Sequence, residues 1–491
     1  MAKKDFDVIV VGAGFGGSSC AGLLAKYGLN VLLLEKNNRA GGKAMSISKG
    51  GFTHTPWVVI GAPVEGNLYQ VILDELGVAD RAELVVPGNS ASIYKNSTGK
   101  YLRMPQAESG VMDPNPVFDW LEIKEDEREE ALRLFTELTL MSPDQTATWH
   151  GKSFDQWLSQ YNTPRGLYAF LVSLCCDGMF MVPVDSLDAG EAIKGLQDMF
   201  LRSGGMFCKG GYGQVAEAYC EAVRQYGGRV IMNARAEKIV VEQGQITGVV
   251  TNKGSFKAPI VISNAGIQPT VVKLVGEEHF DKSYVIYVKG LIPSWSLLGY
   301  RYYLNKRVID APYGVIISND SPWSLERFYK ARAGETSREG VVYFEVPSVY
   351  DPDGTPEGKQ VLMTGCYCPA NPDMTKKEIM EWAEVGEKII FEVFPEVEDA
   401  IDKKELYTTK SVSSLTRDSV VPGCGGETIG LGQIVGQCGP DKPSIKAPVQ
   451  GLFIVGCDAG GTGVGTQQAI DSGMSVADAV RKYHLMHKAT P

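Results

Sequence analysis

The sequence predicts an α/β fold in which a parallel sheet carries the functional motifs and a second, α+β domain is interleaved with it. Three observations support this prediction. An apolar run within residues 7–17 ends in a glycine-rich turn, a second apolar run ends at Glu35, and a third enters another glycine-rich turn within 451–473. Continuous apolar runs are typical of strands that are buried on both faces of a parallel sheet.

The first element lies within DVIVVGAGFGG, where a strand is followed by a turn and by a helix expected over about 16–26. Gly12, Gly14 and Gly17 have the spacing G-x-G-x-x-G. The first glycine permits the turn, the second lets a pyrophosphate approach the backbone, and the third lets the helix pack against the strand. The helix would direct its positive N-terminal end at the phosphates. This element predicts a Rossmann-like dinucleotide-binding domain.

The second element, LNVLLLEK, is a strand that ends at Glu35, eighteen residues after Gly17. A carboxylate at this place can accept hydrogen bonds from ribose hydroxyls, whereas a 2′-phosphate would require an arginine. We therefore expect the dinucleotide to carry an unmodified ribose.

The C-terminal element, GLFIVGCDAGGTGVGTQQAIDSG, repeats this plan with a buried strand, an acid and a glycine-rich turn. Asp458 follows the strand at its carboxyl end, where ligands bind in α/β sheets. A helix expected over 466–479 would present its N-terminus to the same place. A helix N-terminus stabilises nearby negative charge by roughly 0.3–2 kcal/mol.

Composition excludes several classes of function. The net charge of −10 and the absence of a long basic run argue against nucleic acid as a partner. Ten cysteines form no C-x-x-C pair and five histidines show no ligand spacing, so we expect no metal and a reducing, cytoplasmic location. We expect no cleavable signal peptide, because residues 1–10 lead directly into the first apolar run, and no apolar run is long enough to span a bilayer.

These motifs resemble a known family. The segment NNRAGGK with Lys43, the C-terminal element, and segments 208–249 and 258–266 resemble the FAD-dependent phytoene desaturase and carotenoid isomerase group of the amine-oxidase-like flavoproteins. The resemblance covers the chain in outline and implies FAD as the cofactor. It also implies that Asp458 bonds the ribityl or pyrophosphate region of FAD. The cofactor-binding residues expected from the motifs and the resemblance are Gly12, Gly14, Gly17, Glu35, Lys36, Gly42, Lys43, Ala236, Asp458, Gly465 and Thr466.

The motifs divide the chain into two interleaved domains. Residues 1–60, 205–275 and 405–491 are expected to form the FAD-binding domain, and residues 61–204 and 276–404 the substrate-binding domain. Within the latter, 90–105 predicts a hairpin and 342–369 two strands about a loop. The Met- and aromatic-rich segment 167–184 is interpreted either as a substrate tunnel or membrane-docking face, or as an ordinary buried helix, which we favour.

The resemblance implies a reaction that makes, saturates or shifts a C=C bond in a largely apolar isoprenoid, steroid, lipid-like or alicyclic substrate. The candidate proton-handling residues are His54 and Tyr212. His54 stands where the family usually has an F-D-x-G pattern, and an imidazole suits proton transfer near neutral pH. The electron acceptor stays open between quinone, oxygen and a carrier protein, and peripheral membrane contact is left open.

Two alternatives remain. A flavin amine oxidase of the same fold would line its pocket with an aromatic cage, for which RYY at 301–303 is a candidate. A non-enzymatic, prenyl-binding escort-type protein would have no need for Glu35, the di-glycine motif and Asp458 together.

Overall fold

The computed structural model describes residues 5–59, 61–88, 90–105, 114–201, 205–335 and 339–488. The strands of these ranges are β1 Val8–Val11, β2 Val31–Leu34, β3 Ile47–Lys49, β4 Phe52–His54, β5 Leu84–Val85, β6 Ala91–Lys95, β7 Tyr101–Arg103, β8 Phe207–Cys208, β9 Arg229–Ile231, β10 Ala236–Glu242, β11 Gln245–Thr251, β12 Gly254–Lys257, β13 Val261–Ser263, β14 Ser296–Leu304, β15 Tyr313–Ser318, β16 Val342–Glu345, β17 Gln360–Cys368, β18 Ile401–Tyr407 and β19 Leu452–Ile454.

The α-helices of the described ranges are α1 Phe15–Lys26, α2 Leu68–Leu76, α3 Asn115–Trp120, α4 Arg128–Leu140, α5 Pro143–Ala147, α6 Phe154–Leu158, α7 Arg165–Val172, α8 Ala189–Leu201, α9 Gly213–Gln225, α10 Ile267–Pro269, α11 Lys282–Gly290, α12 Leu325–Arg332, α13 Pro347–Tyr350, α14 Lys376–Val393, α15 Glu396–Ala400, α16 Thr409–Leu415 and α17 Gly465–Lys488. Two further segments, Ser173–Phe180 and Thr270–Gly276, are π-helical.

The first sheet is parallel, with the strand order β19-β13-β1-β2-β9. Every residue of β1 and β2 is buried, which confirms the interpretation of these apolar runs as central strands. Helix α1 packs against α9 and α17, and its buried residues join the core on this face of the sheet. The sequence therefore predicted the α/β class correctly.

The second sheet has the order β18-β14-β17-β16-β15-β6-β7, and its neighbours are antiparallel except for the parallel pair β6 and β15. Strands β6 and β7 form the hairpin predicted over 90–105, and Gly99 N donates to Asn96 O in its turn. Strands β16 and β17 are the two strands predicted over 342–369.

The strands of the first sheet come from the three segments predicted to bind FAD. Those of the second sheet come from the two segments predicted to bind substrate, except that β18 crosses the expected boundary at residue 405. The domain boundaries themselves stay a prediction.

Candidate functional site

A cavity of about 880 Å³ lies between the two sheets. Residues that directly follow β1, β2, β13 and β19 line one part of it, so this part is at the carboxyl ends of the parallel strands. Residues of α7, α8, β15 and β16 line the other part. A single cavity therefore joins a polar, glycine-rich region to a largely apolar one.

Two glycine turns form a cradle of bare backbone in the first region. Gly12 has a φ of +97° and Gly42 has a φ of +56°. Residues other than glycine rarely adopt such positive angles. A Cβ added at Gly14 would lie 2.7 Å from the side-chain amide of Asn264, and one at Gly42 would lie 3.2 Å from Gly14 Cα. Helix α1 begins at Phe15 with no acidic residue in its first turn. The cradle therefore fits a diphosphate, because its glycines let the ligand approach the backbone closely and the N-terminus of α1 carries partial positive charge.

Gly17 does not line the cavity, in contrast to Gly12 and Gly14. A Cβ at Gly17 would lie 2.0 Å from Gly12 O. The third glycine of the motif therefore allows α1 to pack against the turn, which is the role that the spacing indicates.

Glu35 lies at the carboxyl end of β2, where this buried residue is one of those that line the cavity. Its carboxylate oxygens accept hydrogen bonds from Ala13 N and Asn37 N, each at 2.8 Å. Burial raises the pKa of the Glu35 carboxyl, and these backbone donors oppose that shift. The two donors hold the carboxylate in place beside the glycine turn.

Lys36 and Ala236 line the same end of the cavity as Glu35. Lys36 joins a cluster of charges about Asp418, whose carboxylate also pairs with Arg235 at 2.5 Å and with Lys273 at 2.6 Å. Burial favours the neutral form of Asp418, but these cations lower its pKa to about 2. This end of the cavity therefore carries charges of both signs, with Lys36 and Arg235 beside Glu35 and Asp418.

Asp458 belongs to a buried network of four charges. Arg417 Nη1 donates to Asp458 Oδ1 at 3.1 Å and to Glu427 Oε1 at 3.0 Å, and Lys43 Nζ donates to Glu427 Oε1 at 2.8 Å. Asp458 also accepts from Ile267 N. Sequence analysis missed Arg417, because it lies in a loop without a motif. The signal that could have indicated Arg417 is that a buried acid such as Asp458 requires a cation nearby.

The final helix begins at Gly465, one residue before the predicted start, and extends to Lys488 rather than to 479. Gly465 and Thr466 both line the cavity. The Thr466 hydroxyl pairs with Tyr69 Oη, and Gln467 Oε1 accepts from Leu68 N at 2.8 Å. The N-terminus of α17 is thus fixed against α2 and directed into the cavity.

The segment 167–184 is largely helical and buried, as the favoured interpretation predicts, and part of it also lines the apolar region of the cavity. Phe170 of α7 and Leu174, Met179 and Met181 of the following turns lie on the cavity. The π-helix ends at Met181, which has a φ of +55°. Such π-helical turns and left-handed residues occur frequently at functional sites. This location supports the tunnel interpretation of the segment.

The structure does not bring His54 or Tyr212 to the cavity. His54 is fully buried, its Nδ1 pairs with Thr55 O, and its Nε2 has no partner among the described residues. Burial lowers the pKa of the imidazole to about 4. The Tyr212 hydroxyl donates to Met206 O at 2.5 Å. Both positions favour a packing role, because the chain instead meets the cavity at 57–59 and 61–63.

Within the described ranges, no helix is long and apolar enough to cross a membrane. In the same part of the chain, no group of three or more His, Cys, Asp or Glu side chains could hold a metal ion.

Comparison with known proteins identifies relatives of the chain. The family profile described as flavin containing amine oxidoreductase matches residues 15–274. The crystal structure of an oxidoreductase from Methanosarcina mazei superposes with a TM-score of 0.69 at 20% identity, over 96% of this chain and 100% of that one. At this identity the superposition shows a common fold.

Three proteins of known activity are also similar in sequence. Human all-trans-retinol 13,14-reductase is 26% identical over 308 residues, which cover 55% of this chain and 49% of the relative. The match to this relative therefore spans about half of its length. Prolycopene isomerase 1 from an Oncidium hybrid cultivar is 25% identical over 99% of this chain and 86% of the relative. Phytoene desaturase from Fusarium fujikuroi is 25% identical over 72% of this chain and 65% of the relative.

Proposed function

The chain belongs to the flavin-containing amine oxidoreductase family, and we propose that it is an FAD-dependent oxidoreductase that desaturates, saturates or isomerises a C=C bond of a largely apolar substrate. The observation that carries this proposal is the single cavity, in which the dinucleotide motifs adjoin an apolar region. The relatives support it, since they are named as a retinol reductase, a prolycopene isomerase and a phytoene desaturase.

The first region of the cavity fits FAD by the chemistry of its donors. Gly12, Gly14 and Gly42 would receive the diphosphate on bare backbone, and Glu35 would accept hydrogen bonds from the ribose. Lys43 lies beside Glu427 with Arg417 close by, so that cations are present near the diphosphate. Lys36, Ala236, Asp458, Gly465 and Thr466, which also line this region, complete the proposed set.

When bound, FAD supplies the capacity to accept or donate a hydride. The residues of this chain bind and orient the reactants. Phe170, Met179, Met181 and Phe344 line the apolar region and exclude water from an apolar substrate. The N-terminus of α17 provides a positive dipole end in the cavity, where it would stabilise negative charge on a reduced ring.

The amine oxidase alternative is less supported. The RYY sequence at 301–303, a candidate aromatic cage, does not line the cavity. Tyr302 is fully buried and its hydroxyl donates to Glu387, and Arg301 pairs with Glu405. These side chains therefore make contacts within and around the second sheet and do not line the cavity.

The experiment is to purify the protein, measure its flavin absorbance, offer isoprenoid or retinoid compounds without oxygen, and offer amines both without oxygen and in air. We expect one FAD per chain and bleaching or spectral perturbation by isoprenoid or retinoid compounds. Amines, tested for peroxide release in air, should give no signal. A colourless protein that takes up no FAD would overturn the proposal, and rapid flavin reduction by amines alone would replace it with an amine oxidase. The cytoplasmic location, peripheral membrane contact and electron acceptor stay predictions.

A further inference from the structure

A buried glutamate joins two parts of the cavity wall. Glu345 ends β16 directly after Phe344, which lines the cavity, whereas Glu345 itself does not. Its Oε2 accepts a hydrogen bond from Val59 N at 2.9 Å, and Val59 lines the cavity from the segment that follows β4. One carboxyl therefore connects a wall residue of the N-terminal segment to the strand of the second sheet that carries another.

The carboxyl of Glu345 is buried without a cation. The residue is 1% exposed, and no lysine, arginine or histidine pairs with it in the part of the chain that the structure describes. Its Oε1 accepts a second hydrogen bond from Tyr350 Oη at 2.7 Å. The buried acids Asp458 and Glu427 are paired with cations instead. Glu345 has neutral donors, which stabilise a carboxylate less than a cation does.

The titratable groups around this carboxyl are mainly tyrosines. They are Tyr350 and Asp351 after β16, Tyr313 opposite Glu345 on β15, Tyr212 before α9, and His54 on the segment that leads to Val59. Arg301, two strands away on β14, bonds Pro56 O and Glu405. Burial lowers the pKa of His54 to about 4, so this imidazole is neutral above pH 6.

The Glu345 carboxyl changes its charge in the neutral range. Burial raises its pKa to about 7, and the Val59 amide and the Tyr350 hydroxyl oppose that shift. An ionised carboxylate without a cation is stabilised by water, which an apolar ligand against Phe344 and Val59 would exclude. An apolar ligand should therefore favour the protonated form.

We infer that Glu345 is a positioning residue, which in its neutral form holds the cavity wall in the shape that binds an apolar substrate. The inference rests on the proposed function and adds a dependence on pH to the same site. Because the coupling between a ligand and a proton is reciprocal, the substrate binds more tightly when Glu345 is protonated. Affinity therefore falls as the pH rises through about 7.

The test uses the FAD-loaded protein and a probe that does not titrate, a 20-carbon isoprenoid alcohol in uncharged detergent micelles. Binding is measured from the perturbation of the flavin absorbance. The wild type should bind the probe roughly 5- to 10-fold more tightly at pH 6 than at pH 8. Glu345→Gln keeps the shape of the neutral acid, with an oxygen for Val59 N and an amide for Tyr350 Oη. It should bind the probe at both pH values as tightly as the wild type does at pH 6.

Glu387→Gln is the matched control. Glu387 also accepts a hydrogen bond from a tyrosine, Tyr302, at 3.1 Å, but Lys404 pairs with it at 2.7 Å and it does not line the cavity. This variant should keep the pH dependence of the wild type. Tyr350→Phe, whose ring packs on Phe207 with 4.7 Å between centroids, removes a donor to the carboxylate. It should move the midpoint of the pH dependence upwards.

Each outcome decides the inference. Equal affinity of the wild type at pH 6 and pH 8, or a pH dependence that persists in Glu345→Gln, would overturn it while leaving the proposed function in place. A loss of FAD or of folding in Glu345→Gln would also overturn it, because the neutral side chain would then not be the form that holds the cavity. If the probe leaves the flavin unperturbed at both pH values and an amine reduces it, the proposed function and the inference fail together.

Discussion

Replacing Arg417 by methionine should destabilise the protein strongly, because the guanidinium is the cation shared by two buried carboxylates. Arg417 Nη1 bonds both Glu427 and Asp458, and Nη2 lies 2.9 Å from Asp458 Oδ2. The side chains of these two acids are 2% and 4% exposed. Methionine fills much of the same volume without the charge, which leaves Lys43 as the cation that contacts Glu427.

The expected magnitude follows from the burial of the pair. Breaking a buried ion pair by removal of one partner costs about 3–5 kcal/mol, since the remaining charge stays desolvated. Asp458 keeps backbone donors at Ile267 N and Leu431 N, so we expect the lower end of this range, about 3 kcal/mol. The surplus negative charge also lies at the proposed diphosphate region, and FAD retention should fall with it.

Urea unfolding of the apo protein, followed by tryptophan fluorescence, measures the stability change, and bound flavin is quantified on purification. The double variant Arg417→Met/Asp458→Asn should recover most of the loss, because it removes the carboxylate that is left without a cation, while Lys43 still pairs with Glu427. Arg224→Met, which breaks an exposed pair with Glu221, is the control and should cost less than about 1 kcal/mol. A stability of Arg417→Met within about 1 kcal/mol of wild type, with no gain in the double variant, would refute the reasoning.

Three further predictions concern residues that the sequence singled out. Gly17→Ala should abolish FAD binding or folding, because its Cβ would lie 2.0 Å from Gly12 O; Gly290→Ala, with open space about its Cβ, should have little effect, and equal FAD content in both variants would contradict this. Glu35→Gln should weaken FAD binding about 30-fold, or about 2 kcal/mol, in a flavin fluorescence titration, and a change below two-fold would argue against ribose binding. Burial lowers the pKa of His54 to about 4 from an ordinary 6.5. As the pH falls from about 6.5 to about 4, the unfolded chain therefore binds the proton before the folded protein does, and the contribution of His54 to the free energy of unfolding should fall by about 3 kcal/mol. His54→Ala should flatten that pH dependence in unfolding experiments while folded enzyme keeps its FAD and turnover; a 10²-fold loss of turnover at full FAD content would restore the catalytic role.

The fold class and the cofactor region could be predicted because their signals are local. A continuous apolar run indicates a central parallel strand, and the glycine spacing indicates the backbone geometry of the turn that follows. Gly12 and Gly42 have the positive φ angles that only glycine adopts easily. Glu35 could be placed from its distance along the chain, since a strand fixes which residue reaches the carboxyl edge of the sheet.

The substrate region and the charges around Asp458 depend on contacts between distant segments. Arg417 meets an acid 41 residues away, and Ala91 pairs with Gly314 across two strands that are far apart in the chain. His54 has the residue type of a proton carrier and follows the correct motif, yet its imidazole is buried outside the cavity. The sequence alone therefore determined the strands, the glycine turns and the place of the acid that we propose binds ribose, because backbone conformation and burial are encoded by neighbouring residues. Only the tertiary structure decided which side chains reach the cavity, because the direction of a side chain depends on the packing of elements that are far apart in the chain.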